Sequence, residues 1–165
     1  MKRSMLIVPV VTVLAMVAMA AMASAGENRN FVAVLSGGEE VPAVDTHARG
    51  LAQFQLNKDG DELAFRLIVA NIEDAAQSHI HCGTAGVNGP IVAFLYGFGP
   101  IVSPDGILAE GTLTATDVIP RPDSPECPGG VANFDDLIAK MQSGGAYANV
   151  HTVVNPGGEI RGQVR

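Results

Sequence analysis

His79 and His81 flank a single residue in Ser78-His79-Ile80-His81-Cys82. On a β-strand alternate side chains leave the same face, so both imidazoles point one way and Ile80 the other. Two neighbouring imidazoles can serve one transition-metal ion, and His151 supplies a third from another strand-like segment with a polar face. Three imidazoles with a fourth position open suit zinc or copper. Glu159, Asp74 and His47 are the further residues that could complete such a shell. The competing use of strand-end histidines is structural, as hydrogen-bond partners of carbonyls and carboxylates. His47 follows Asp45-Thr46 in a loop and reads as solvated.

Other chemistries find less support. No G-x-S-x-G elbow occurs, and the serines lack a histidine–acid partnership. Glu39-Glu40 and Asp135-Asp136 are adjacent pairs, suited to solvation or helix capping rather than acid/base work. Gly83-Thr84-Ala85-Gly86 runs on into more loop, so it is a turn and not a phosphate cradle. The leading reading is therefore a non-enzymatic domain that binds a ligand or partner, with His79, His81 and His151 as its polar focus. The alternative is a copper or zinc protein using those three side chains, redox-active or hydrolytic.

The elements that must position these residues are short strands. Apolar runs or alternations at 31–35, 51–56, 63–69, 78–82, 91–96, 107–118, 147–153 and 159–164 are separated by Gly, Pro and Asn-rich turns. Such spacing predicts an all-β, antiparallel β-sandwich or barrel. One segment keeps a helical period: Phe134, Leu137, Ile138 and Met141 share a stripe, with Asn133 as N-cap and Gly144-Gly145 as the stop. It predicts one short α-helix with a packing role. In the last hairpin, a three-residue turn at 156–158 would pair 155 with 159 and 151 with 163. That register puts His151 on the face carrying Glu159 and Arg161.

Residues 1–25 read as a secretory signal peptide: Lys2-Arg3, an uncharged apolar stretch, then Ala23-Ser24-Ala25. Cleavage leaves a single domain at 26–165 with eight basic and 17 acidic residues, a net charge of −9. That acidity, without a Lys/Arg cluster, speaks against a nucleic-acid partner. The mature domain is expected in the periplasm or outside the cell, free of the membrane. Its partner there would be an extracellular or periplasmic protein or a small ligand. An oxidising compartment favours one disulfide between Cys82 and Cys127, 45 positions apart.

Three stretches carry a family resemblance. They are Gly38-Glu-Glu-Val-Pro-Ala-Val44, then His79-Ile-His-Cys-Gly83 with Ala85-Gly-Val-Asn-Gly-Pro90, then Tyr147-Ala-Asn-Val-His-Thr152 with Gly158-Glu-Ile-Arg-Gly-Gln163. In this order they resemble the CHRD (chordin-like) domain, in its stand-alone exported bacterial form, across about residues 30–165. The resemblance implies a domain of undefined physiological role, with His79, His81, His151, Glu159 and Arg161 at motif positions. The leader is checked directly: N-terminal sequencing of the exported protein should begin at Gly26, and a mature chain still starting at Met1 would refute cleavage.

Overall fold

The computed structural model describes residues 28–97 and 99–165. The expected leader at 1–25 lies outside the described residues. Eight strands follow in chain order: β1 (Asn30–Ser36), β2 (Arg49–Leu56), β3 (Leu63–Ala70), β4 (Ala75–Cys82), β5 (Ile91–Tyr96), β6 (Gly106–Leu113), β7 (Ala146–Thr152) and β8 (Ile160–Gln163). They form one sheet in the order β5-β4-β7-β8-β1-β2-β3-β6, with antiparallel pairing throughout. The end strands β5 and β6 come together, so the sheet curls into a nearly closed barrel. Among the described residues no helix is long and apolar enough to cross a membrane.

Strict alternation explains how the barrel fills. Phe31, Ala33 and Leu35 of β1 are buried while Val32 and Val34 are exposed. Phe31, Phe54 and Phe65 stand opposite one another across β1, β2 and β3, forming an aromatic row of cross-strand pairs. The β2–β3 turn closes on Asn57, whose Oδ1 accepts hydrogen bonds from the Gly60 and Asp61 amides at 2.8 and 3.1 Å.

The helix α1 (Phe134–Ser143) packs on β7 with the expected stripe of Phe134, Leu137, Ile138 and Met141 buried. Asn133 Oδ1 accepts from the Asp136 amide at 3.0 Å, and Gly144 ends the helix in a left-handed conformation. Cys82, at the end of β4, is bonded to Cys127 in the 121–131 segment, and both are buried.

Two expectations are corrected. The strand expected over 107–118 stops at Leu113, because Thr114 opens a 3-10 turn whose Asp117 carboxylate accepts the Thr114 amide at 2.8 Å. In the last hairpin, 163 pairs with Tyr147 and not with 151, a displacement of four positions. The connection is no tight turn: Thr152 Oγ1 donates to Glu159 at 2.7 Å, Asn155 Nδ2 donates to the same carboxylate at 3.0 Å, and the loop is wider. An even displacement preserves the faces, so the side chains still segregate as the pattern required.

The Cys82→Ala/Cys127→Ala variant should lose about 3–4 kcal/mol of stability in denaturant unfolding, the chain-entropy value for a loop of this length. Two alkylatable thiols in native, unreduced protein would contradict the bond.

Candidate functional site

The β4–β7 pairing assembles the site. His79 lies opposite Asn149, His81 opposite Tyr147 and Gln77 opposite His151, while Asn149 and Tyr147 face Arg161 and Gln163 of β8. Ile80, Cys82, Ala148, Val150 and Ile160 take the other side of the sheet and join the core. The face left over is polar yet covered: His79, His81, Asn149 and Arg161 are 1, 7, 2 and 2% exposed. His151 is partly buried and forms its open edge.

The three histidines converge, with one ligand nitrogen from each lying within 4.8 Å of the others. His151 Nδ1 sits 2.9 Å from the Pro156 carbonyl and His81 Nδ1 2.8 Å from the Gly89 carbonyl. A carbonyl only accepts, so each Nδ1 carries the proton and each Nε2 keeps its lone pair. His151 Nε2 in turn lies 3.1 Å from His79 Nδ1, which must then be the donor. His81 Nε2 and His79 Nε2 are buried without a hydrogen-bond partner. Burial is the main force on all three rings, and it lowers their basicity because a charged imidazolium is poorly solvated there. His79 falls to about 3, helped by His151 and His81. His81 falls to about 4 through burial, the Gly89 hydrogen bond and the neighbouring Asn149 side chain opposing, His151 and Arg161 assisting. His151 is also lowered, against the Pro156 hydrogen bond. All three are neutral at pH 7, the form in which imidazole binds metals.

The β4–β5 loop holds this arrangement. A side chain on Gly89 would run into the Cys82 carbonyl, so the loop lies against the strand at a point where glycine alone fits. Tyr147 Oη accepts from the Gly89 amide at 3.2 Å. The Tyr147 ring stacks on His81 at 4.7 Å, and the Arg161 guanidinium carbon lies 3.4 Å from its centroid. Arg161 itself donates to the Asn88 side chain at 3.0 Å and to the Val87 and Thr84 carbonyls at 2.6 and 3.3 Å. The Ala85–Pro90 stretch is thus the second half of the histidine site, and its match to a family is now explicable. The chain matches the CHRD domain over residues 31–164.

It belongs to the CHRD domain family. No curated protein and no solved structure matches it. Within this CHRD domain the motif residues divide into two groups. Glu159 does not join the histidines: it accepts from Thr46 and Thr152 hydroxyls at 2.7 Å and from Asn155 at 3.0 Å, clamping the β7–β8 loop to the 44–48 segment. These donors hold its pKa below the ordinary value despite partial burial. His47 and Asp74 are exposed and stand apart from the cluster. Arg161, by contrast, borders it through Tyr147.

Glu40 is the residue the sequence misassigned. Paired with Glu39 it reads as solvated, yet it is 7% exposed, lies where a Gly158 side chain would have to go, and leaves Oε1 unpartnered. Burial lifts its pKa to about 7, opposed by Arg161 and by a backbone hydrogen bond. Its raised value means the folded state holds a proton that the unfolded chain releases above pH 4.5. Stability is therefore lost as pH rises from 4.5 to about 7, and Glu40→Gln escapes that loss. Urea unfolding should show Glu40→Gln gaining up to about 3 kcal/mol over wild type between pH 4.5 and 8. A pH-independent difference would refute a buried, protonated Glu40.

Proposed function

We propose that this CHRD domain binds one copper or zinc ion through His79, His81 and His151, and that its role is binding rather than catalysis. The observation that carries this reading is the set of fixed lone pairs. Backbone carbonyls take the Nδ1 protons of His81 and His151, so both Nε2 atoms keep their lone pairs, that of His151 accepting from His79 Nδ1 and that of His81 without a partner. Outer hydrogen bonds of this kind orient metal-ligating imidazoles and set their tautomer.

The spacing fits as well. Nitrogens on a tetrahedral ion lie about 3.3 Å apart at ordinary bond lengths, and His79 Nδ1 and His151 Nε2 are 3.1 Å apart. An ion about 2.0–2.1 Å from both nitrogens would replace that proton, seated to one side of the line that joins them. The three nitrogens already lie within 4.8 Å of one another, so His81 would complete the set by a side-chain shift of about 1.5 Å to the tetrahedral spacing. The fourth position falls to water or a small ligand entering by the half-buried His151 edge. With the leader at 1–25, the metal would be met in the periplasm or outside the cell, where a protein or small-molecule partner could reach it.

Protein purified without a histidine tag should take up one copper or zinc ion per chain by elemental analysis. His79→Ala/His81→Ala should abolish uptake while circular dichroism stays β-type, and His151→Ala should weaken it at least tenfold, no less than loss of an outer hydrogen bond does. Metal-free protein that resists reconstitution would contradict the proposal.

A further inference from the structure

The outer face of β1, β2, β3 and β6 departs from the rule that an antiparallel sheet packed on one side turns polar residues to water on the other. Val34 stands opposite Leu51, Leu51 opposite Ile68 and Ile68 opposite Ile107. These four side chains make one aliphatic row across four adjacent strands. Val34 and Ile107 at its ends are 69 and 49% exposed, Leu51 and Ile68 are half-buried, and Val32 beside the row is 41% exposed. β-Branched side chains favour a strand wherever they sit, which accounts for one or two of these residues but not for a row in register. A bulge supplies the last member. β6 carries one residue more than β3 at the Leu67–Ile68 step, so Ile107 and not Leu108 faces Ile68, and Leu108 joins the core.

The flanking residues say what the row fits. On one side Gln53, Arg66 and Glu110 stand in register, and Arg66 and Glu110 make the one ion pair among the described residues, at 3.0 Å. On the other side Arg49 donates to the Thr46 and Ala48 carbonyls. Both guanidinium groups are thus engaged within the chain, and what the face has left to satisfy is apolar surface. Two arginines against one glutamate give it a charge of +1, on a chain whose residues 26–165 sum to −9. The acidity of the molecule therefore does not oppose two copies meeting here. A two-fold axis parallel to the strands, between β2 and β3, sets Leu51 on Ile68 of the second copy and Val34 on its Ile107, with Gln53 against Arg66 and no like charges opposed. We infer that this face pairs two copies of the chain, row on row, in an isologous dimer. Four strands about 4.8 Å apart and four outward rows about 6.8 Å apart cover about 500 Å² per copy. A total of about 1,000 Å² stands at the lower limit of a specific interface, so the dimer is a weak one that forms at micromolar concentration.

Sedimentation velocity on the exported protein, in chelator so that no metal bridges two chains, tests this over about 1 to 500 µM. Wild type should pass from monomer to dimer within that range. Val34→Glu/Ile107→Glu opposes like charges across the axis and should weaken association at least about tenfold, while circular dichroism stays β-type. Val34→Thr/Ile107→Thr, which keeps strand propensity, should weaken it in the same direction and decides the matter should the glutamate variant not fold. Val154→Glu, at a site 79% exposed on the β7–β8 loop, should leave association unchanged. A wild type that stays monomeric throughout overturns the inference. A dimer that the Val34/Ile107 variants leave intact, or that Val154→Glu disrupts equally, overturns the choice of face. None of these outcomes bears on the histidine site, which lies on other strands.

Discussion

The close seat of Gly89 on the Cys82 carbonyl is the constraint on which the rest of the site depends. Because no β-carbon intervenes, the β4–β5 loop lies flat on the outer face of the barrel and turns its carbonyls inward. One of those carbonyls fixes His81, two others receive Arg161, and the Gly89 amide meets Tyr147. Cys82 is at the same point covalently tied to the 121–131 segment, which in turn bonds Arg121 to the Ile91 carbonyl at 2.7 Å. Both ends of the covering loop are thereby anchored. A segment with almost no apolar residues could not be held by packing alone, and the disulfide supplies what its composition lacks.

Covering a polar face has electrostatic consequences that run through every titratable group there. Burial drives the imidazoles toward their neutral form and Glu40 toward its protonated form. The Arg161 guanidinium is satisfied by carbonyl oxygens and by the face of Tyr147. The result is a set of uncharged nitrogen donors in a water-poor setting. Such a site disfavours protonation, and in the proposed reading a soft or borderline cation would repay the desolvation with coordinate bonds.

Much of this was legible in the sequence, for reasons that are local. The H-x-H spacing fixed both imidazoles to one face because strand periodicity leaves no other outcome. Phe134, Leu137, Ile138 and Met141 named the helix and its buried stripe in the same way. The cysteine pair followed from the expected export. What was not legible depended on long-range placement. Glu40 and Asn149 look like ordinary polar residues until a loop covers them, and no periodicity reveals a cover. Tyr147 falls on the face its strand alternation predicts, but its stack between His81 and Arg161 needs the β4–β7 and β7–β8 registers together. The hairpin register lies four residues from the tight-turn expectation, because side-chain bonds among Thr152, Asn155 and Glu159 widen a loop whose Pro-Gly-Gly suggests a tight turn.

The central claim is that three imidazole nitrogens of one covered face form a single coordination sphere. X-ray absorption at the metal edge of copper- or zinc-loaded protein reads that sphere directly. The account predicts three imidazole scatterers at about 2.0–2.1 Å with one further light-atom ligand and no sulfur. Fewer than three imidazoles, or a sulfur shell, would contradict it.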